Sequence, residues 1–260
     1  GLLCQALKLK GRLDETLLII ASDHGLSPTH SHFDSVEFMN QLGFKTLHYP
    51  KVYKFFSDAD AAIMISGNSM THIYIKSTRG WQERSSFEEL TKVVDQLIER
   101  NEVDIVAGID EKGKVRIKSQ RGEATAWFDH DGCIEYKRIY EDPFGYNGLP
   151  EKMSPDEALE YTYHTTYPDA IVQILQLLES PRSGDLVVSA GPGYDLRAKY
   201  EKPEHCSSHG SLVKEHMLVP TAINISIKRR FLRTVDFYPT ILSLLGHDIP
   251  TNIDGVNLVN

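Results

Sequence analysis

Cysteine is scarce. The chain of 260 residues carries three, Cys4, Cys133 and Cys206, odd in number and widely spaced. That pattern suits neither a disulfide scaffold nor a zinc knuckle. Free thiols weakly favour a reducing, cytoplasmic compartment. No apolar stretch approaches the roughly 20 residues needed to cross a bilayer, so no membrane span is expected. Positive charge is also in deficit: the formal net charge of -8 argues against a nucleic-acid polymer as partner. It does not exclude a small phosphorylated substrate, because bound metal ions would set the local charge in such a site. Internal repeats and low-complexity tracts are absent, and the first residues lack the pattern of a signal peptide.

What is present is ordinary for a folded domain, with 41% hydrophobic and 25% charged residues. Apolar residues at positions 2, 3, 6, 7 and 9 form a helical stripe, and Gly11 stands where a C-cap belongs. The chain thus opens within a helix and reads as the C-terminal portion of a longer protein.

The segment Thr16-Leu17-Leu18-Ile19-Ile20-Ala21 reads as a buried strand ending in the turn Ser22-Asp23-His24-Gly25. A helix is expected over Ser35 to Leu42, then a strand over Ala61 to Ile65. From Thr71 the pattern alternates, passes through an amphipathic helix from Ser86 to Arg100, and continues as strands at 103–109, 114–119, 123–128 and 133–139. Asp110-Glu111-Lys112-Gly113 and Asp129-His130-Asp131-Gly132 read as hairpin turns. Ser154-Pro155-Asp156-Glu157 starts a helix, another runs from Asp169 to Glu179, and Leu186 to Ala190 is a buried strand before Gly191-Pro192-Gly193-Tyr194-Asp195. The recurring order of helix, strand and loop predicts an α/β fold with a mostly parallel sheet flanked by helices. The expected division is a core from 1–66, an inserted antiparallel α+β cap from 67–167, and a second core part from 168–260.

Asp23 and His24 at the end of a strand are donors suited to zinc or a similar divalent ion. Taken alone, the pair serves equally as a helix cap and a packed loop histidine. A second turn, Ser207-Ser208-His209-Gly210-Ser211, leads into His216-Met217-Leu218-Val219-Pro220 and the apolar run Thr221 to Ile225. With these two turns in this order, the chain resembles the alkaline phosphatase superfamily, and within it the type I phosphodiesterase/nucleotide pyrophosphatase branch. The segment Arg233 to Leu242 is similar to that family's closing helix. The resemblance implies a two-metal phosphoester hydrolase in which Asp23 and His24 hold one ion and His209 its neighbour. Zinc is the first expectation, with manganese or magnesium as alternatives. His205 and His216 bracket His209 and would either orient the ligands or simply pack their loop. Cys206 has no role in the family.

The resemblance also implies a Thr or Ser nucleophile and further ligands N-terminal to the Asp23 turn. None of the 22 residues before Asp23 fits them. Catalysis by this chain alone is therefore not expected, and the preceding segment of the same protein is its first implied partner, a small phosphate ester its substrate. Two alternatives stand beside this reading: a phosphomutase of the same superfamily, and a non-catalytic α/β binding module.

Overall fold

The computed structural model describes residues 1–48, 58–78, 80–197 and 204–259. They form two compact units, one of Gly1–Asp23 with Val219–Asn260, the other of His24–Leu218.

The unit His24–Leu218 is built on a nine-stranded sheet. In spatial order its strands are Lys152–Met153, Ile134–Arg138, Glu123–Phe128, Val115–Lys118, Val103–Ile109, Leu186–Ala190, Met70–Ile75, Ala61–Ser66 and Thr46–His48. Every neighbouring pair is antiparallel except the last, Thr46–His48 with Ala61–Ser66. The fold is α/β, but the expectation of a mostly parallel sheet is corrected. The reason lies at the centre of the sheet. Met70–Ile75 and Val103–Ile109 are joined by the helix Thr91–Ile98 and run in the same direction, as a crossover requires. Leu186–Ala190, supplied from far downstream, lies between them and is antiparallel to both. Periodicity reports each strand and helix but not the insertion of a distant strand between two others. The sheet draws strands from all three segments into which the chain was expected to divide.

Helices cover both faces. Ala170–Glu179 and Pro155–Thr162 lie on the side of Ile105, Ala107, Ile117 and Val187, while Thr91–Ile98 and Ser35–Gln41 lie on the side of Ile63, Ile73, Val106 and Val188. Strand alternation places these sets on opposite faces. All five residues of Leu186–Ala190 are buried, as a central strand covered on both faces requires. The two hairpins fall where the sequence puts them. In each, the leading aspartate takes two backbone N–H groups on one oxygen: Asp110 from Lys112 and Lys114, at 2.9 and 2.8 Å, and Asp129 from Asp131 and Cys133, both at 2.9 Å. Ser154 and Glu157 form the reciprocal cap that starts Pro155–Thr162.

The other unit has little regular structure. The helix Leu2–Leu9 buries none of its residues. The run from Thr16 to Ala21 is not a buried strand: strand pairing covers only Ile19–Ile20, antiparallel to Ala222–Ile223, and Ile20 is 71% exposed. A two-stranded ribbon supplies no layer on its faces, so its apolar residues stay near solvent. Asn224 fastens the ribbon, its side chain accepting from Leu18 N at 2.8 Å and donating to Thr16 O at 2.9 Å. The helix expected near the C-terminus is Phe237–Leu244. Asp236, just before it, accepts from Arg233 N at 2.8 Å and from Val256 N at 2.9 Å, which ties the chain end to the helix start. No helix of the described residues is long and apolar enough to cross a membrane.

Candidate metal centre

Two loops far apart in sequence meet in the unit His24–Leu218. Ser27–Pro28 pairs antiparallel with Ser207–Ser208, and Ser31–His32 pairs parallel with Tyr194–Asp195. Thr29 N donates to Cys206 O at 2.9 Å, which is where Cys206 enters the structure; its thiol is free and the residue exposed. Beneath these pairs a chain of hydroxyls runs from Thr29 through Ser208 to Ser69, with links of 2.8 and 2.6 Å. Short strands of this kind contribute few backbone bonds, so buried side-chain bonds carry a larger share of the joining.

The pairing brings His24 and His209 together. Their rings stack in parallel, with centroids 3.5 Å apart and planes within 1°. His24 Nδ1 is 2.8 Å from Gly25 O, so Nδ1 carries the proton and Nε2 is the nitrogen with the lone pair. His209 is seated on the turn Gly67-Asn68-Ser69, where Gly67 and Asn68 both adopt left-handed backbone with φ of 61° and 66°. His209 N donates to Gly67 O at 2.9 Å, and Ser69 N donates to His209 O at 3.0 Å. A Cβ on Gly67 would lie 2.6 Å from both the Nδ1 and the carbonyl oxygen of His209, so glycine is required there for space as well as for φ.

His216, in the short helix Lys214–Met217, joins the two turns. Its Nδ1 accepts from Ser211 N at 3.2 Å and from Ser211 Oγ at 2.7 Å, which assigns the proton to Nε2, 2.7 Å from Ser27 Oγ. Its carbonyl accepts from Gly25 N at 2.8 Å. Burial, then the proximity of His209, holds its pKa below the ordinary imidazole value, His24 adding to the effect and Glu215 opposing it. The second bracketing histidine, His205, is exposed and lies 2.6 Å from the side-chain nitrogen of Asn68 through its Nδ1. Asp23 is the last residue of the other compact unit and is followed directly by His24. Sequence reasoning did not single out the Gly67-Asn68-Ser69 turn. Its signal was available: a glycine and an asparagine between two apolar strands.

Two other clusters differ in character. His32 lies between Asp195 and Glu204, each 2.8 Å away and on opposite ring nitrogens, so the three do not converge on one point. Asp129, His130 and Asp131 have donor atoms close enough for an ion, but Asp129 is already committed to the hairpin turn and to Lys152.

The donor types and the tautomer of His24 suit a divalent ion, for which imidazole Nε2 is a common ligand. Against known families, the profile described as type I phosphodiesterase / nucleotide pyrophosphatase matches residues 1–212. The chain belongs to this family of phosphoester hydrolases, and with it to the alkaline phosphatase superfamily. Comparison with curated proteins and with solved structures returns no match.

Proposed function

We propose that this chain is part of a metal-dependent phosphodiesterase or nucleotide pyrophosphatase, with Asp23 and His24 as ligands to one divalent ion and His209 as ligand to a second. The observation that carries the reading is the parallel stack of His24 on His209, two residues joined by no local sequence. When bound, such ions polarise a phosphoryl oxygen and stabilise the charge on the leaving oxygen. The chain's own residues do the positioning. Gly25 O holds the proton on His24 Nδ1 and so makes Nε2 the donor nitrogen. The Gly67 turn fixes the backbone of His209 on both sides. His216 ties the two turns through Ser27 and Ser211, and His205 braces the seat of His209 through Asn68.

Zinc fits this donor set best, with manganese and magnesium as alternatives. Three ligands fall short of two complete ion sites, each of which takes three or four. The remaining ligands and the Thr or Ser nucleophile are therefore assigned to sequence preceding Gly1, and the substrate to the class of small phosphate esters. Residues 67–167 are read as an insertion between the two metal turns in sequence. The test is hydrolysis of a nitrophenyl phosphodiester by a form of the protein extended upstream of Gly1. Zinc-dependent turnover that is lost on chelation and in both His24→Ala and His209→Ala is expected. Turnover that survives either substitution would overturn the ligand assignment. A phosphomutase would instead return phosphate to a second position on its substrate, and product analysis separates the two.

A further inference from the structure

Between the sheet and the helix Ala170–Glu179, within the unit His24–Leu218, lies a cavity of about 410 Å³. Its existence traces to small residues. Ala107 and Ser189 stand on the sheet face where neighbours carry larger side chains, and Gly210 forms part of the wall. Gly210 cannot be enlarged, because a Cβ there would lie 2.8 Å from Ser66 O at a φ of 98°. Ile105, Ile174 and Val187 form its buried floor. Its volume falls within the range of small-molecule sites, roughly 300–1,000 Å³.

The lining defines the chemistry of an occupant. No charged residue is among the described residues of the wall. Met70 and Met217 supply flexible thioethers that adapt to the shape of an aliphatic guest. Polar groups are confined to the amides of Gln173 and Gln176 and the hydroxyl of Ser189. Of these, Gln173 donates to Asp169 at 2.8 Å and Ser189 accepts from Leu212 N at 3.2 Å. Such a wall accommodates a single neutral polar group and penalises a charge. Met70, Gln173, Gln176, Leu177, Leu212 and Met217 are all partly exposed, so the cavity is open to solvent.

We propose that this cavity binds an uncharged small molecule with an aliphatic body and one hydroxyl or carbonyl group. None of the proposed metal ligands lines it, Gly210 following His209 and Met217 following His216, and the proposal goes beyond the phosphoester reading. Binding is read without metal or turnover, so failure of either proposal leaves the other standing.

The probes are the 1-alkanols from butanol to heptanol, titrated into the chain by calorimetry or by NMR of the Met70 and Met217 methyl groups. One saturable site is expected, with affinity rising about fourfold for each added methylene until the cavity is filled. Leu177→Trp and Met217→Trp, on separate elements, place an indole in the space and should each weaken heptanol binding at least tenfold while the unfolding transition remains cooperative. The wild-type series decides the matter even if one variant misfolds. Absence of a saturable site, no dependence on chain length, or unchanged binding in a folded filled variant would overturn the proposal.

Discussion

The runs Leu17-Leu18-Ile19-Ile20-Ala21 and Leu186-Val187-Val188-Ser189-Ala190 look alike: both are short, apolar, and followed by a glycine-containing turn. Their surroundings are opposite. The second has a strand on each edge and helices over each face, and is buried throughout. The first has a two-residue ribbon partner, and Ile20 stands 71% exposed. An apolar run specifies extended backbone and a demand for burial. Whether that demand is met depends on partners whose positions are not encoded within the run.

The largest expected effect sharpens this contrast. Leu186→Ala removes a side chain buried between sheet and helix and should cost about 3 kcal/mol of unfolding free energy. Ile20→Ala should cost roughly 0.5 kcal/mol, as surface changes do. Urea denaturation of both variants measures the difference. Equal losses would mean that the ribbon is as well covered as the sheet.

A second comparison sets the sheet against the joined turns. Gly25 lies so close to the helix Lys214–Met217 that an added Cβ would fall 1.9 Å from Glu215 O, and a backbone obstacle cannot rotate away. Gly25→Ala should cost about 2 kcal/mol by overpacking and separate the His24 turn from the His216 carbonyl. Thermal unfolding measures the loss, and weaker zinc binding reports the separation. Tolerance of alanine would show that the two segments are not held together by this contact.

A smaller effect is expected from pH. His72 in Met70–Ile75 accepts from Gly184 N at 3.1 Å through Nδ1, and burial, assisted by the charge of Arg84, lowers its pKa. Its unfolded value is about 6.5. Between the two values the unfolded chain binds more protons, so the contribution of His72 is complete above the unfolded value and falls as pH drops toward the folded one. His72→Gln should flatten that part of the stability profile, and urea midpoints across the interval test it. An unchanged slope in the variant would assign the acid sensitivity elsewhere.

Much of the fold was legible. The hairpins at Asp110 and Asp129, the capped start at Ser154 and the strands from Val103 to Arg138 follow from local chemistry, because turn and cap bonds are made within a few residues of one another. Strand direction across the sheet was not legible, since it depends on Leu186–Ala190 inserting between strands more than seventy residues away. The site divides in the same way. His24 and His209 stand out by motif, whereas the Gly67 seat and the two ties of His216 arise only when separate turns meet.

The central claim is that His24 and His209 act as a pair toward metal. The most direct measurement is NMR of the imidazole nitrogens during titration of the chain with zinc. The rings of His24 and His209 should respond together, through Nε2 of His24, at concentrations where His72 remains unmoved. A response confined to His130 in the exposed hairpin, or to only one of the pair, would contradict the account.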